Sequence, residues 1–215
     1  MKNLDFIKIY FEEKSKIALN MSLEEIDSLV SKLIETYEND GTLFVMANGG
    51  GASASEGFAT DMRTHPFVSD DKNVTTNIRR LKVISLTESS GALTGISNDI
   101  GYEYIFSEQL KNFMRDDNIN KNDLIIAFSG SGNSKNIINA INYAKKFGIF
   151  TACVSGRGGG KIKNIADLNI IIQGSSIFPG QTGKNDNNFH IEDFQVSISH
   201  ILTGLLKNHV NKDTN

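Results

Sequence analysis

Twice in this chain a short apolar run passes through glycine and small hydroxyl residues into a stretch with helical apolar spacing. That repeated unit restricts the fold more than any other feature. The first copy is Thr42-Leu43-Phe44-Val45-Met46-Ala47 followed by Asn48-Gly49-Gly50-Gly51-Ala52-Ser53-Ala54-Ser55. The second is Asp123-Leu124-Ile125-Ile126-Ala127-Phe128 followed by Ser129-Gly130-Ser131-Gly132-Asn133-Ser134, after which Ile137, Ile138, Ile141, Ala144 and Phe147 make a helical stripe that stops at Gly148. A strand that turns sharply into a helix exposes backbone N–H groups at the positive end of the helix dipole, and glycine lets a ligand approach the main chain closely. Such turns hold anions or polyols. In the second copy the hydroxyls of Ser129, Ser131 and Ser134 add donors that suit a phosphate monoester. It is not a nucleotide-binding P-loop, because Ser134 precedes Lys135 in the wrong register.

The rest of the chain repeats the alternation. Residues 4–38 carry apolar positions at helical spacing (Phe6, Ile7, Tyr10, Phe11 and Ile17, then Ile26, Leu29, Val30, Leu33, Ile34 and Tyr37), and Ser22 with Glu25 is a capping-box pattern that starts the second of two helices. Further strands are predicted at 81–86, 150–155 and 168–172, with helices after residue 88, around Tyr104 to Phe113, and from about Phe189 with Ile191, Phe194, Ile198, Ile201, Leu202 and Leu205 as its core stripe. Residues 66–80 and 174–188 read as irregular loops. Strands alternating with helices predict an α/β three-layer sandwich around a mostly parallel sheet, one domain over residues 1–215 with an N-terminal helical extension at 1–38. In such sheets ligands bind at the carboxyl ends of the strands, where both glycine turns fall.

Composition narrows the function. A formal charge of −3, with no basic stripe beyond Arg79-Arg80 and Lys145-Lys146, gives no footprint for nucleic acid. No apolar run reaches the ~18 residues a membrane span needs, and the start lacks a secretory leader pattern. The single cysteine, Cys153, sits in an apolar run and excludes an intrachain disulfide, so cytoplasmic residence is expected.

Outside the loops, the groups able to do chemistry are few. Asp61 lies about three turns into the helix after the glycine run. Glu192 and His200, on the last helix, differ by about 80° around its axis, close enough to address one ligand, and a histidine is the natural proton shuttle near neutral pH. Arg157 and Lys161 flank the glycine turn Gly158-Gly159-Gly160 and are candidate phosphate ligands.

The set Asn48-Gly49-Gly50, Asn98-Asp99-Ile100-Gly101-Tyr102, Ser129-Gly130-Ser131-Gly132-Asn133-Ser134 and Ile191-Glu192-Asp193 with His200-Ile201-Leu202 resembles the sugar isomerase (SIS) domain, and within it the phosphoheptose isomerase family, over roughly residues 5–207. The resemblance implies a ketose–aldose isomerisation of sedoheptulose 7-phosphate through an enediol in bacterial heptose synthesis. It implies Asp61 and His200 as the acid/base pair, the phosphate on Ser129, Gly130, Ser131 and Ser134, and Asn48, Gly49, Gly50, Asn98, Asp99 and Glu192 around the sugar. It further implies a homotetramer packed through the N-terminal helices, with active sites at subunit interfaces.

The family also binds zinc, through a histidine one turn before the carboxylate, that carboxylate, a glutamine and the C-terminal histidine. The corresponding positions here are Gly57, Asp61, Glu192 and His200, which leaves Asp61, Glu192 and His200 as the metal candidates, with His65 or Glu56 outside them. Other departures are an aspartate for the usual glutamate at Asp61, glycine for threonine at Gly130, and glycine for serine at Gly51. Two alternatives stay open on these departures: an isomerase acting on a different phosphosugar, and a non-catalytic SIS module that binds a phosphosugar or protein partner.

Overall fold

The run at 42–47 becomes strand β1 (Thr42–Ala47), and the other predicted strands become β2 (Lys82–Ser85), β3 (Leu124–Ser129), β4 (Phe150–Gly156) and β5 (Leu168–Ile172). In the computed structural model, which describes residues 1–71, 73–182 and 186–212, they form one sheet in the order β2-β1-β3-β4-β5. Every pairing is parallel. Residue 72 of the first predicted loop, residues 183–185 of the second and residues 213–215 of the expected domain lie outside the described residues.

Because successive side chains leave a strand on opposite faces, a sheet covered on both sides reads as a continuous apolar run. Leu43, Val45 and Ala47 of β1 join one core with helices α2 (Leu23–Glu38), α3 (Gly50–Thr64) and α7 (Asn188–Lys212), while Phe44 and Met46 join a second core with α5 (Ile105–Leu110) and α6 (Lys135–Lys145). Between β2 and α5 the chain forms α4 (Ser90–Asp99). Cys153 faces the second core, and burial pushes its thiol up to about 12.

Helix α2 starts where the capping pattern placed it, with the Ser22 hydroxyl accepting from the Glu25 N–H at 3.2 Å. The preceding helix, α1 (Asn3–Leu19), buries only Ile17. It is fixed instead by polar bonds: Glu13 accepts from the Ser176 hydroxyl at 2.6 Å and the Ile177 N–H at 2.8 Å and lies 3.0 Å from His190 Nε2, while Tyr10 and Lys14 both reach Asp193. Thus α1 is tied to the segment before α7 and to α7's first turns.

The predicted core stripe of the last helix needs correction. Ile191, Phe194, Ile198 and Leu202 are buried, but Ile201 and Leu205 are 41% and 42% exposed, and Leu206 and Val210 take their places. The period of ~3.6 carries the stripe from 198 through 202 to 206, which leaves 201 and 205 on a flank.

Candidate active site

The strand order reverses direction between β1 and β3, and at such a switch point the connections leave to opposite faces and open a crevice at the carboxyl ends. Ala47 pairs with Phe128 at those ends, so the turns after the two strands emerge side by side. They open on a cavity of about 340 Å³ lined by Asn48, Gly49, Gly50 and Gly51 from one turn, Phe128, Ser129, Gly130, Ser131 and Ser134 from the other, and Arg157, Asn188, Glu192 and Gln195.

On the first wall, Gly49 takes φ 56°, which glycine reaches without steric cost, and α3 begins one residue later. Asn48 is held from two sides. Its side-chain amide and that of Asn136 donate to each other at 2.9 and 2.8 Å, and the Tyr102 hydroxyl donates to Asn48 Oδ1 at 2.8 Å. Asn136 is buried on α6, so the orientation of Asn48 is set by the helix that follows the other loop.

The second wall is the serine loop. Gly132 (φ 63°) donates its N–H to both the carbonyl and the hydroxyl of Ser129 at 3.2 Å, which curls the chain around. Ser134 is the N-cap of α6, and its side chain makes no capping bond. Its hydroxyl therefore remains available on the cavity side together with the helix N–H groups, an arrangement suited to phosphate oxygens. The loop after β4 backs it: Gly156 N–H donates to Gly130 O, Ile162 N–H to Gly132 O, and Lys161 N–H to Asn133 Oδ1.

The third wall comes from the first turns of α7, and glycines make room for it. A methyl on Gly50 would overlap the Glu192 carboxylate, one on Gly51 would come within 3.1 Å of Gln195 Oε1, and one on Gly130 within 2.9 Å of Asn188 Oδ1. Asn188 donates to Glu192 Oε1 at 2.8 Å. The carboxylate thus sits at the N-terminus of α3, where the helix dipole favours it.

Of the site residues predicted from sequence, Asn48, Gly49, Gly50, Ser129, Gly130, Ser131, Ser134 and Glu192 come together around this cavity, and so does Arg157. Asn98 and Asp99 do not line it; they end α4, exposed, with the Asn98 amide on Asp99 at 2.9 Å. Asp61, half-buried on α3, and His200, exposed on α7, also lie outside the cavity of one chain, as do Lys161, Glu56 and His65. Asn136, Asn188 and Gln195 escaped sequence reasoning, since an amide on a helix has no spacing signature; the glycines opposite two of them were the only signal.

Whether these residues suit the zinc implied by the resemblance depends on the donor set. Gly57 contributes no imidazole, although a Cβ there would meet nothing within 4 Å. Among the described residues no group of three or more His, Cys, Asp or Glu side chains is placed to hold a metal ion, so Asp61, Glu192 and His200 do not gather within one chain. Two carboxylates and one imidazole are also a poor set for tetrahedral zinc. The residues of a single chain do not fit the metal.

A parallel sheet of this order, with a serine loop and a glycine turn opening on one cavity at its switch point, defines the α/β sugar isomerase class. The SIS domain family model matches residues 10–156. The phosphoheptose isomerase of Helicobacter pylori strain P12 is 34% identical over 198 residues, covering 90% of this chain and 91% of the relative. A probable phosphoheptose isomerase of Thermoplasma acidophilum is 29% identical over 201 residues, covering 93% and 96%. Among solved structures, a phosphoheptose isomerase from Francisella tularensis superposes with a TM-score of 0.77 at 22% identity over 97% of this chain and 100% of the other, and one from Neisseria gonorrhoeae with 0.71 at 23% identity over 95% and 94%. The chain belongs to the phosphoheptose isomerases, a family of SIS-domain enzymes.

Proposed function

We propose that this chain interconverts sedoheptulose 7-phosphate and D-glycero-D-manno-heptose 7-phosphate in the cytoplasm, as an early step of bacterial heptose synthesis for lipopolysaccharide or capsule. The observation that carries the reading is the convergence of the serine loop and the Asn48 turn on one cavity, in a chain 34% identical to a phosphoheptose isomerase. The loop takes the phosphate; the Asn48 amide and the Glu192 carboxylate face the polyol. Isomerisation moves a proton between C1 and C2 and another between the two oxygens, through an enediol. Asp61 and His200 are the proposed acid/base pair.

That pair reaches a cavity only if copies of the chain assemble, and a homotetramer is the assembly we propose. Supporting it, α1 exposes Leu4, Ile7 and Phe11, and α7 exposes Val196, Ile201 and Leu205, beside His200. Apolar surface of this extent on two helices favours a partner. No helix among the described residues is long and apolar enough to cross a membrane.

The test is turnover of sedoheptulose 7-phosphate by purified protein, with aldose formation followed by NMR and subunit number by light scattering. Conversion that is abolished by Asp61→Asn or His200→Ala in a tetramer supports the reading. Full turnover in both variants removes those two residues from the mechanism. Saturable binding of the sugar phosphate without turnover by the unaltered chain points to the non-catalytic module.

A further inference from the structure

Residues 157–160 all have positive φ, at 50°, 76°, 83° and 53°, and three of the four are glycine. The other is Arg157. A side chain in this region carries a steric penalty that glycine avoids, and such outliers persist where the surroundings hold them and a function uses them. Here the surroundings are the serine loop itself. The carbonyls of Ser131 and Gly132 lie where a methyl on Gly160 would sit, and that of Gly159 where one on Gly132 would sit. The two loops are interlocked, and Arg157 is presented from the edge of the lock.

Among the described residues, Arg157 is the only cationic side chain lining the cavity. Its Nη2 rests on Asp186 Oδ1 at 3.2 Å, with both side chains 42% exposed. An ion pair so open to solvent is readily exchanged. A phosphate dianion offers the guanidinium more charge and two oxygens in the geometry it prefers.

We propose that Arg157 is the cation of the phosphate subsite, presented from its left-handed backbone position beside the serine loop, with Asp186 holding the guanidinium until the sugar's phosphate displaces it. The inference rests on the sugar-phosphate reading above and adds a specificity residue to it. It distinguishes sugar phosphates from free sugars by charge, which neutral hydroxyls alone do weakly.

The experiment pairs calorimetry with inorganic phosphate and steady-state kinetics with sedoheptulose 7-phosphate, on the full chain. Arg157→Gly is the informative variant, because glycine suits the backbone and the fold is expected to keep its thermal midpoint. Phosphate binding should weaken and KM rise by roughly tenfold or more, with kcat within about threefold. Arg157→Lys should fall between, and Asp186→Asn should bind phosphate more tightly than the unaltered chain. The assignment is overturned if Arg157→Gly binds phosphate as the unaltered chain does, or loses kcat with KM unchanged. Unchanged or weaker binding in Asp186→Asn overturns the holding role of that residue. Phosphate binding needs no turnover, so Arg157-dependent binding in a protein that isomerises nothing would uphold this assignment while refuting the isomerase reading.

Discussion

Asn48 and Asn136 donate an amide hydrogen bond to each other, at 2.9 and 2.8 Å, and so join the turn after β1 to the first turn of α6 at the base of the cavity. Neither wall of the site is positioned independently of the other. Removing Asn136 leaves the half-buried Asn48 amide held by the Tyr102 hydroxyl alone, and takes from the buried Ile137 N–H the side-chain oxygen to which it donates at 2.9 Å. Asn136→Ala should cost about 1–3 kcal/mol in denaturant unfolding and lower kcat/KM by about tenfold. A double-mutant cycle with Asn48→Ala should then show strong coupling; additive losses would mean the pair is incidental.

Gly132 meets two obstacles at once, a φ of 63° and the backbone carbonyl of Gly159 where a Cβ would go. Backbone cannot step aside as a side-chain end can. Gly132→Ala is therefore expected to lose at least about 3 kcal/mol, whereas Gly148→Ala, with φ 72° and nothing within 4 Å of the added methyl, should lose about 1–2 kcal/mol from the backbone alone. Thermal denaturation of both variants gives the comparison, and equal losses would count against the interlocked loops.

Burial alone would raise the Glu13 carboxyl, but hydrogen bonds from Ser176, the Ile177 N–H and His190 hold it below its ordinary value of 4.5. A carboxyl depressed in the folded state adds stability that is present above its unfolded value and lost as pH falls through the folded one. The thermal midpoint should accordingly drop as pH falls below about 4.5, and drop less steeply in Glu13→Gln. Parallel curves for the two proteins would show that Glu13 contributes nothing to the acid limb.

Metal content provides a separate test of the donor set. Protein purified from zinc-supplemented culture should hold well under one zinc per chain by elemental analysis, and chelation should leave turnover unchanged. Gly57→His, which adds an imidazole where a Cβ meets nothing within 4 Å, should raise zinc retention. One tightly held zinc in the unaltered protein would show that two carboxylates and one imidazole, brought together by assembly, suffice to hold the metal.

The sheet was legible because strand and helix periods differ and the glycine turns punctuate them: β5 falls at 168–172 as predicted, and β1 at 42–47. The residues bound to backbone turns were legible for the same reason, and the cavity collects Asn48 and the serine loop as expected. What could not be read was which way a helix turns its flanks. Glu192 enters the cavity, while His200, on the same helix, is exposed, and angular separation on a wheel does not say which flank a neighbouring loop covers. Ile201 and Leu205 were assigned to the core for that reason. The turn that Asn98 and Asp99 mark also brings in Tyr102, whose hydroxyl reaches Asn48, a long-range partner that no local pattern encodes.

The matching of glycines to the side chains of α7 has a practical corollary for anyone grafting sequence between members of this family. Restoring a serine at Gly51 or a threonine at Gly130 in isolation would press new atoms onto Gln195 or Asn188. Those exchanges are better made as pairs, one partner from each side of the cavity, and a single swap that fails reports a misfit of shapes rather than the worth of the imported group.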